Sequence, residues 1–220
     1  MPMETESTNT GVNLKADINL DQQNILRVGG LYQDYSLDDW WEPSGGMMGP
    51  GIFVNINNGS RERTGVFSEW ESRITPEWLT LLGVRYEAVK MNAGDVQGYE
   101  STDGMMMMPS NQKKDAAAFN AEEHERTDDN WDMTALTRYT PNVNADVEFG
   151  VSRKTRSPNL YERYTWSTWG MASIMNNFVG DGNGYVGNID LDPEVANTVS
   201  ATFDFHSADR QSEIKATPFY

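Results

Sequence analysis

Between Glu77 and Lys90 the chain reads Glu-Trp-Leu-Thr-Leu-Leu-Gly-Val-Arg-Tyr-Glu-Ala-Val-Lys. Trp78, Thr80, Leu82, Val84, Tyr86 and Ala88 take the even positions and none is charged, whereas Glu77, Arg85 and Glu87 fall on the odd ones. A strict period of two specifies a strand with one apolar face and one charged face. The stretch exceeds the roughly 9–11 residues a tilted strand needs to cross a bilayer. Trp78 and Tyr86 stand near the two ends of the apolar face, where a membrane barrel carries its aromatic girdles. Soluble sheets alternate too, so the decision rests on how the rest of the chain repeats this pattern.

The pattern recurs on both sides. Val12, Leu14, Ala16, Ile18 and Leu20 alternate with Asn13, Lys15, Asp17 and Asn19, and a second strand sets Leu26, Val28, Gly30 and Tyr32 on one face. A third, from about Arg63 to Ile74, opposes Val66, Ser68 and Trp70 to Glu69, Glu71 and Arg73. Beyond the opening stretch come Trp131 to Tyr139, Ala145 to Val151, Val195 to Phe205, and a last strand from near Glu213. Short polar turns fall at 21–23, 75–76, 141–142 and 208–210, while long segments run over about 36–61, 91–129 and 155–194. The long segments are rich in Gly, Asn and Asp, and 91–129 is expected to be a mobile, solvated loop.

Short turns at one end and long loops at the other describe an all-β protein: the wall of an antiparallel transmembrane β-barrel. It has about eight strands, with long extracellular loops and short periplasmic turns. The apolar faces then meet lipid, and closure satisfies backbone groups that lipid would leave bare. Residues 1–10 are expected to be disordered or a loop remnant, and 11–220 to be a single partial barrel domain. The rival is a soluble, acidic all-β binding module, a sandwich with mixed connections and Greek-key crossings.

Composition excludes more than it assigns. Asp and Glu number 33 against 17 Lys and Arg, a formal charge of -16, which repels nucleic acid phosphates. A mean hydropathy of -0.63 would suit a water-soluble protein, but alternating strands average out in any hydropathy window. With no cysteine there is no disulfide framework and no thiolate metal site. The first residues lack the basic and apolar regions of a signal peptide. Nucleophile elbow, phosphate loop and zinc signature are all missing, so the chain does not read as an enzyme. The calcium-like run Asp181-Gly182-Asn183-Gly184 reads as a turn, because Tyr185 and Val186 take the places of a ligand and a glycine.

Three segments resemble the TonB-dependent outer-membrane receptors. They are Arg153 to Tyr164, with its Arg-Ser-Pro-Asn-Leu-Tyr-Glu-Arg-Tyr core, Gly187 to Glu194, which reads Gly-Asn-Ile-Asp-Leu-Asp-Pro-Glu, and Thr127 to Asp132. The resemblance spans roughly residues 11–220, all of it barrel wall. It implies energised uptake of a scarce ligand across the outer membrane of a Gram-negative cell. The partners it implies are outer-membrane lipid and the TonB energising complex, reached through a plug domain that this sequence does not contain. The expectation is therefore a middle-to-late portion of a barrel of about 22 strands. By itself such a portion should not transport.

The segments Asn55 to Arg61 and Tyr161 to Gly187 resemble the copper-type receptors of that family. Chemistry points the same way, because thioether sulfur is a soft ligand suited to Cu(I). Met47, Met48, Met105, Met106, Met107, Met108, Met171 and Met175 all fall in the long segments, and His124 joins them as a candidate metal ligand. The bland alternative is that these methionines are adaptable apolar contacts. No resident cofactor is expected, with copper or an iron chelate as transported cargo. A ferric siderophore would instead use Trp40, Trp41, Tyr161, Trp166 and Trp169 as a stacking surface.

Overall fold

A computed structural model describes residues 3–43, 51–99, 111–177 and 180–220. Eight strands form one sheet: β1 (Met3–Asn19), β2 (Asn24–Trp41), β3 (Phe53–Thr75), β4 (Trp78–Asn92), β5 (Arg126–Asn142), β6 (Ala145–Arg156), β7 (Glu194–His206) and β8 (Glu213–Ala216). Each pairs antiparallel with its sequence neighbours, in the order β1-β2-β3-β4-β5-β6-β7-β8. Three short helices lie in the long connections: α1 (Gln112–Phe119), α2 (Leu160–Tyr164) and α3 (Gly170–Met175). Among the described residues no helix is long and apolar enough to cross a membrane.

Side chains fix the four short turns. The Asp21 carboxylate accepts from the Gln23 and Asn24 amides at 2.7 and 2.8 Å, and Thr75 Oγ1 accepts from the Trp78 amide at 3.2 Å. Asn142 Oδ1 accepts from Asn144 N at 2.9 Å, and Asp209 Oδ1 from Gln211 N at 3.2 Å. Such local bonds offer the backbone an alternative to the ladder and reverse the chain.

The register sorts the two faces as the alternation requires. Leu14, Val66, Leu82, Val84, Phe149, Val199 and Phe203 are exposed on one side. Two cross-strand aromatic pairs bracket this band on β4 and β5: Trp78 with Tyr139 at 4.6 Å, and Tyr86 with Trp131 at 5.0 Å. Their separation is eight residues, about 26 Å along a strand and so about 20 Å along the normal for strands tilted by about 40°, most of an apolar belt of roughly 25 Å. The opposite face pairs its charges. Arg27 bonds Glu69 and Glu71 at 2.8 and 2.7 Å, Arg63 bonds Glu87 at 2.8 Å, and Arg138 bonds Glu148 at 3.0 Å.

Three expectations need correction. Residues 3–10, polar enough to read as frayed, form the outer half of β1, in register from Met3↔Trp41 to Thr10↔Asp34. The segment 36–61 is mostly strand, because β2 runs to Trp41 and β3 starts at Phe53. A register shift near Leu37–Asp39 and a positive φ of 47° at Asn58 let this arm bend over the loops. Segment 91–129, expected to be solvated, supplies the buried side chains Ala93, Val96, Tyr99, Ala116 and Phe119. Its residues 100–110 lie outside the described set.

The buried apolar cluster sits at this long-loop end. Leu37, Trp41, Phe53 and Ile56 from the β2–β3 arm pack with Val89, Met91, Phe119, Leu160, Tyr164 and Trp166. The wall therefore carries a packed cap, and the cap holds Trp41, Tyr161, Trp166 and Trp169 among the residues the sequence reading selected.

Candidate functional site

The cap begins with a stack of rings. Trp41 lies on Phe53 with centroids 4.4 Å apart and planes 5° from parallel, and Phe53 lies on Trp166 at 4.9 Å and 12°. Tyr99 and Trp169 close the sides at 5.7 and 6.2 Å from Phe53. Trp166 Nε1 donates to the Val54 carbonyl at 3.0 Å, which ties segment 157–193 to the β3 arm. Trp41, Trp166 and Trp169 thus come together, but Trp41 and Trp166 are buried and present no free face to a ligand. Trp40, the next residue on β2, points to the other side and is half-buried. Phe53 and Tyr99 are the members the sequence reading missed.

Beside the stack lies a buried polar cluster. Asp39, fully buried, accepts from Asn55 Nδ2 at 2.8 Å, from Thr5 Oγ1 at 3.3 Å and from the Tyr161 hydroxyl. Asn55 also donates to Asn176 Oδ1 at 2.9 Å, so α3 is tied to the same point. Burial pushes the Asp39 carboxyl above its ordinary pKa, outweighing those hydrogen bonds. Burial, with the nearby Asp39 charge, pushes Tyr161 up to about 12.

Segment 157–193 is anchored by α2. Asn159 and Glu162 form a reciprocal capping box, with Asn159 Oδ1 accepting from Glu162 N at 2.9 Å and Glu162 Oε2 from Asn159 N at 2.7 Å. One turn on, Arg163 donates to Asp128 Oδ1 at 2.8 Å and to the Leu191 carbonyl at 2.7 Å. Both partners of this ion pair are buried, at 2 and 7 % side-chain exposure. Tyr164 donates to the His124 carbonyl at 2.8 Å, and burial pushes its phenol up to about 12.

His124 is buried against Phe119 and Tyr164. Its Nδ1 lies 2.9 Å from the Ala93 carbonyl and its Nε2 2.8 Å from the Phe119 carbonyl, so both ring nitrogens are occupied by backbone. It ties segment 93–125 together through these two carbonyls. Met171 on α3 is 44 % exposed, while Met175 is half-buried against the aromatic cluster. Met47, Met48, Met105, Met106, Met107 and Met108 lie outside the described residues. Among the described residues no three His, Asp or Glu side chains cluster as a metal site.

A recess of about 330 Å³ opens on the charged face, just below the cap. Arg61, Arg63, Arg85 and Arg156 line it with Glu87 and Asn130. Three of its arginines, Arg61, Arg63 and Arg85, share odd positions on β3 and β4, a signal the strand parity held and the sequence reading did not use, while Arg156 ends β6.

An open meander, an outward apolar belt and a packed cap define a receptor-type wall, and sequence comparison decides the family. Residues 2–220 match the family described as TonB dependent receptor-like, beta-barrel. The chain belongs to that family. No curated protein matches the sequence. Among solved structures, the copper transporter OprC superposes with a TM-score of 0.66 at 12% identity, covering 99% of this chain and 29% of that one. The ferric-catecholate import receptor Fiu from E. coli K12 superposes with a TM-score of 0.54 at 14% identity, covering 99% of this chain and 31% of that one. At these identities the likeness shows the shared fold. The chain spans less than a third of the length of either receptor.

Proposed function

We propose that this chain is wall and cap of an outer-membrane receptor that takes a metal or metal chelate into the periplasm, with copper the favoured cargo. The observation that carries the membrane part is the outward face. From Trp78 to Tyr86, and across β1 to β7, large apolar side chains stand exposed between two aromatic pairs. Exposed apolar surface of this extent would associate in water but suits lipid. Membership of a TonB-dependent family supports a transport role and makes an inner-membrane energising complex the expected partner. The cargo rests on the methionines of the long segments, of which Met171 is exposed on α3. Two of the five aromatic residues that an organic iron chelate would stack on, Trp41 and Trp166, are consumed by the stack on Phe53. That favours copper over a ferric siderophore.

The test is calorimetric titration of the receptor, purified in detergent as the longest chain its reading frame encodes, with Cu(I), Cu(II) and ferric chelates. Saturable Cu(I) binding, weakened when Met171 and Met175 are both replaced by leucine, is the expected result. Leucine keeps the volume, so a loss reports the sulfur. No copper binding by the native receptor would end the copper reading. A folded, monodisperse protein in plain buffer would end the membrane reading as well.

A further inference from the structure

Two basic side chains share the strand parity of the apolar belt. Lys90 on β4 is even like Leu82 and Val84, and Arg153 on β6 is odd like Phe149 and Val151. Lys90 is neutralised by Glu125 at 3.2 Å. Arg153 is exposed and makes no ion pair among the described residues. Its in-register neighbours, Met133 on β5 and Asn197 on β7, carry no charge. Nor do Trp131, Ala135, Val195 and Val199, the same-face residues two positions further along those strands. Met133 lies two residues from Trp131 toward the short-turn end, so Arg153 stands about 6.6 Å along the strand inside the aromatic row.

Against this arginine lies an apolar groove of about 500 Å³ on the outward face. Ala135, Val151 and Val199, in register across β5, β6 and β7, form its floor. Met133 flanks it on the β5 side and Tyr220 on the other, where two backbone bonds of 2.9 Å hold Tyr220 to Val199.

A bare charge on the lipid face of a barrel costs free energy that grows with depth. The same face of the sheet offers Arg153 no counter-charge. A second copy packed through this belt would bring none either, because Thr80, Leu82, Val84, Met133, Ala135 and Thr137, the outward residues of β4 and β5 between the ring pairs, include no acid. A cation at one end of an apolar groove is complementary to an anionic amphiphile. The planar guanidinium fork matches phosphate oxygens, and the Asn197 amide is a further donor in the same row.

We propose that this groove is a lipid site on the outward wall, holding one acyl chain of a phosphate-headed lipid whose phosphate rests on Arg153 and Asn197. The site depends on the outward face being the lipid-facing one.

The experiment delipidates the receptor in an uncharged detergent, as the longest chain its reading frame encodes, and titrates it with dioleoyl phosphatidic acid. The readouts are native mass spectrometry and thermal shift. Dioleoylglycerol, with the same chains, and inorganic phosphate are the comparison ligands. Saturable phosphatidic acid binding is expected, with neither comparison ligand reproducing it. Arg153→Gln should weaken it roughly tenfold to a hundredfold. Ala135→Phe fills the groove floor, keeps the arginine and should weaken it too. Lys90→Gln should leave it unchanged, because that charge is already paired. Should Arg153→Gln fail to fold, Arg153→Lys keeps the charge and loses the fork, and the same titration expects weaker binding. No saturable binding by the native receptor, equal binding of dioleoylglycerol or free phosphate, equal affinity in the Arg153 variant, or an equal loss in Lys90→Gln overturns the proposal. A receptor that stays dispersed without detergent fails the membrane reading instead, so the two failures are told apart.

Discussion

Replacing Arg163 by methionine should undock the cap from the wall. Arg163 lies in α2, and its guanidinium bridges Asp128 on β5, the Leu191 carbonyl and the Met91 sulfur, the last at 3.3 Å. Methionine fills much of the stem but leaves the Asp128 carboxylate, 7 % exposed, with no cation. Removing one partner of a buried pair costs about 3–5 kcal/mol, because the other charge stays buried. At about 1.4 kcal/mol per factor of ten, that is a hundredfold to a few thousandfold in the opening equilibrium of the cap. The strands need not open with it, since their ladders are formed independently of this contact. The assay is amide hydrogen exchange over residues 160–191 in the detergent-purified receptor, against β4 as an internal reference. Faster exchange confined to that segment is expected. The pair is also imperfect: Asp128 Oδ2 and Arg163 Nε are buried without partners. The double replacement Arg163→Met with Asp128→Leu should therefore recover most of the lost protection. Exchange in the single variant within a factor of ten of native would refute the reasoning, as would a double variant worse than the single.

Other consequences follow from the same geometry. Leu82→Arg puts a charge in mid-belt between Trp70 and Ala135, and should reduce folding stability in liposomes by about 2–4 kcal/mol in urea titration. Leu82→Val should leave it nearly unchanged. Gly187→Ala would set a Cβ 2.7 Å from the Thr165 carbonyl oxygen and 2.8 Å from the Arg163 backbone, so the cap should lose about 1–3 kcal/mol, read as faster exchange at residues 160–191. The Asp39 carboxyl has a raised folded pKa, so the folded cap binds more protons than the open one above the ordinary value of 3.8. Its contribution is full below that value and is lost as pH rises through the raised folded one. Cap protection in the native receptor minus that in Asp39→Asn should fall across that window, and a flat or rising difference would contradict the burial argument.

The wall was legible because a period of two needs no partner to be read. Trp78 to Ala88 declare their face by their own alternation, and the same parity on β3 and β5 fixes what they pair with. The cap was not legible, for a physical reason visible at Phe53. That residue opens an Asn-rich run, Phe53-Val-Asn-Ile-Asn-Asn-Gly, whose composition reads as loop. It becomes strand because Trp41 on one side and Trp166, 113 positions further on, on the other bury its ring. His124 shows the converse. A loop histidine among methionines suggests a ligand, yet its two nitrogens close the turn around Ala93 and Phe119, contacts that no local pattern encodes. The arginine recess lies between these cases. Strand parity alone places Arg61, Arg63 and Arg85 on one face, but their unequal pairing appears only once Glu87 is seen to serve two of them. A period shows which side a charge faces; whether that charge is already spent is decided by the neighbouring strand.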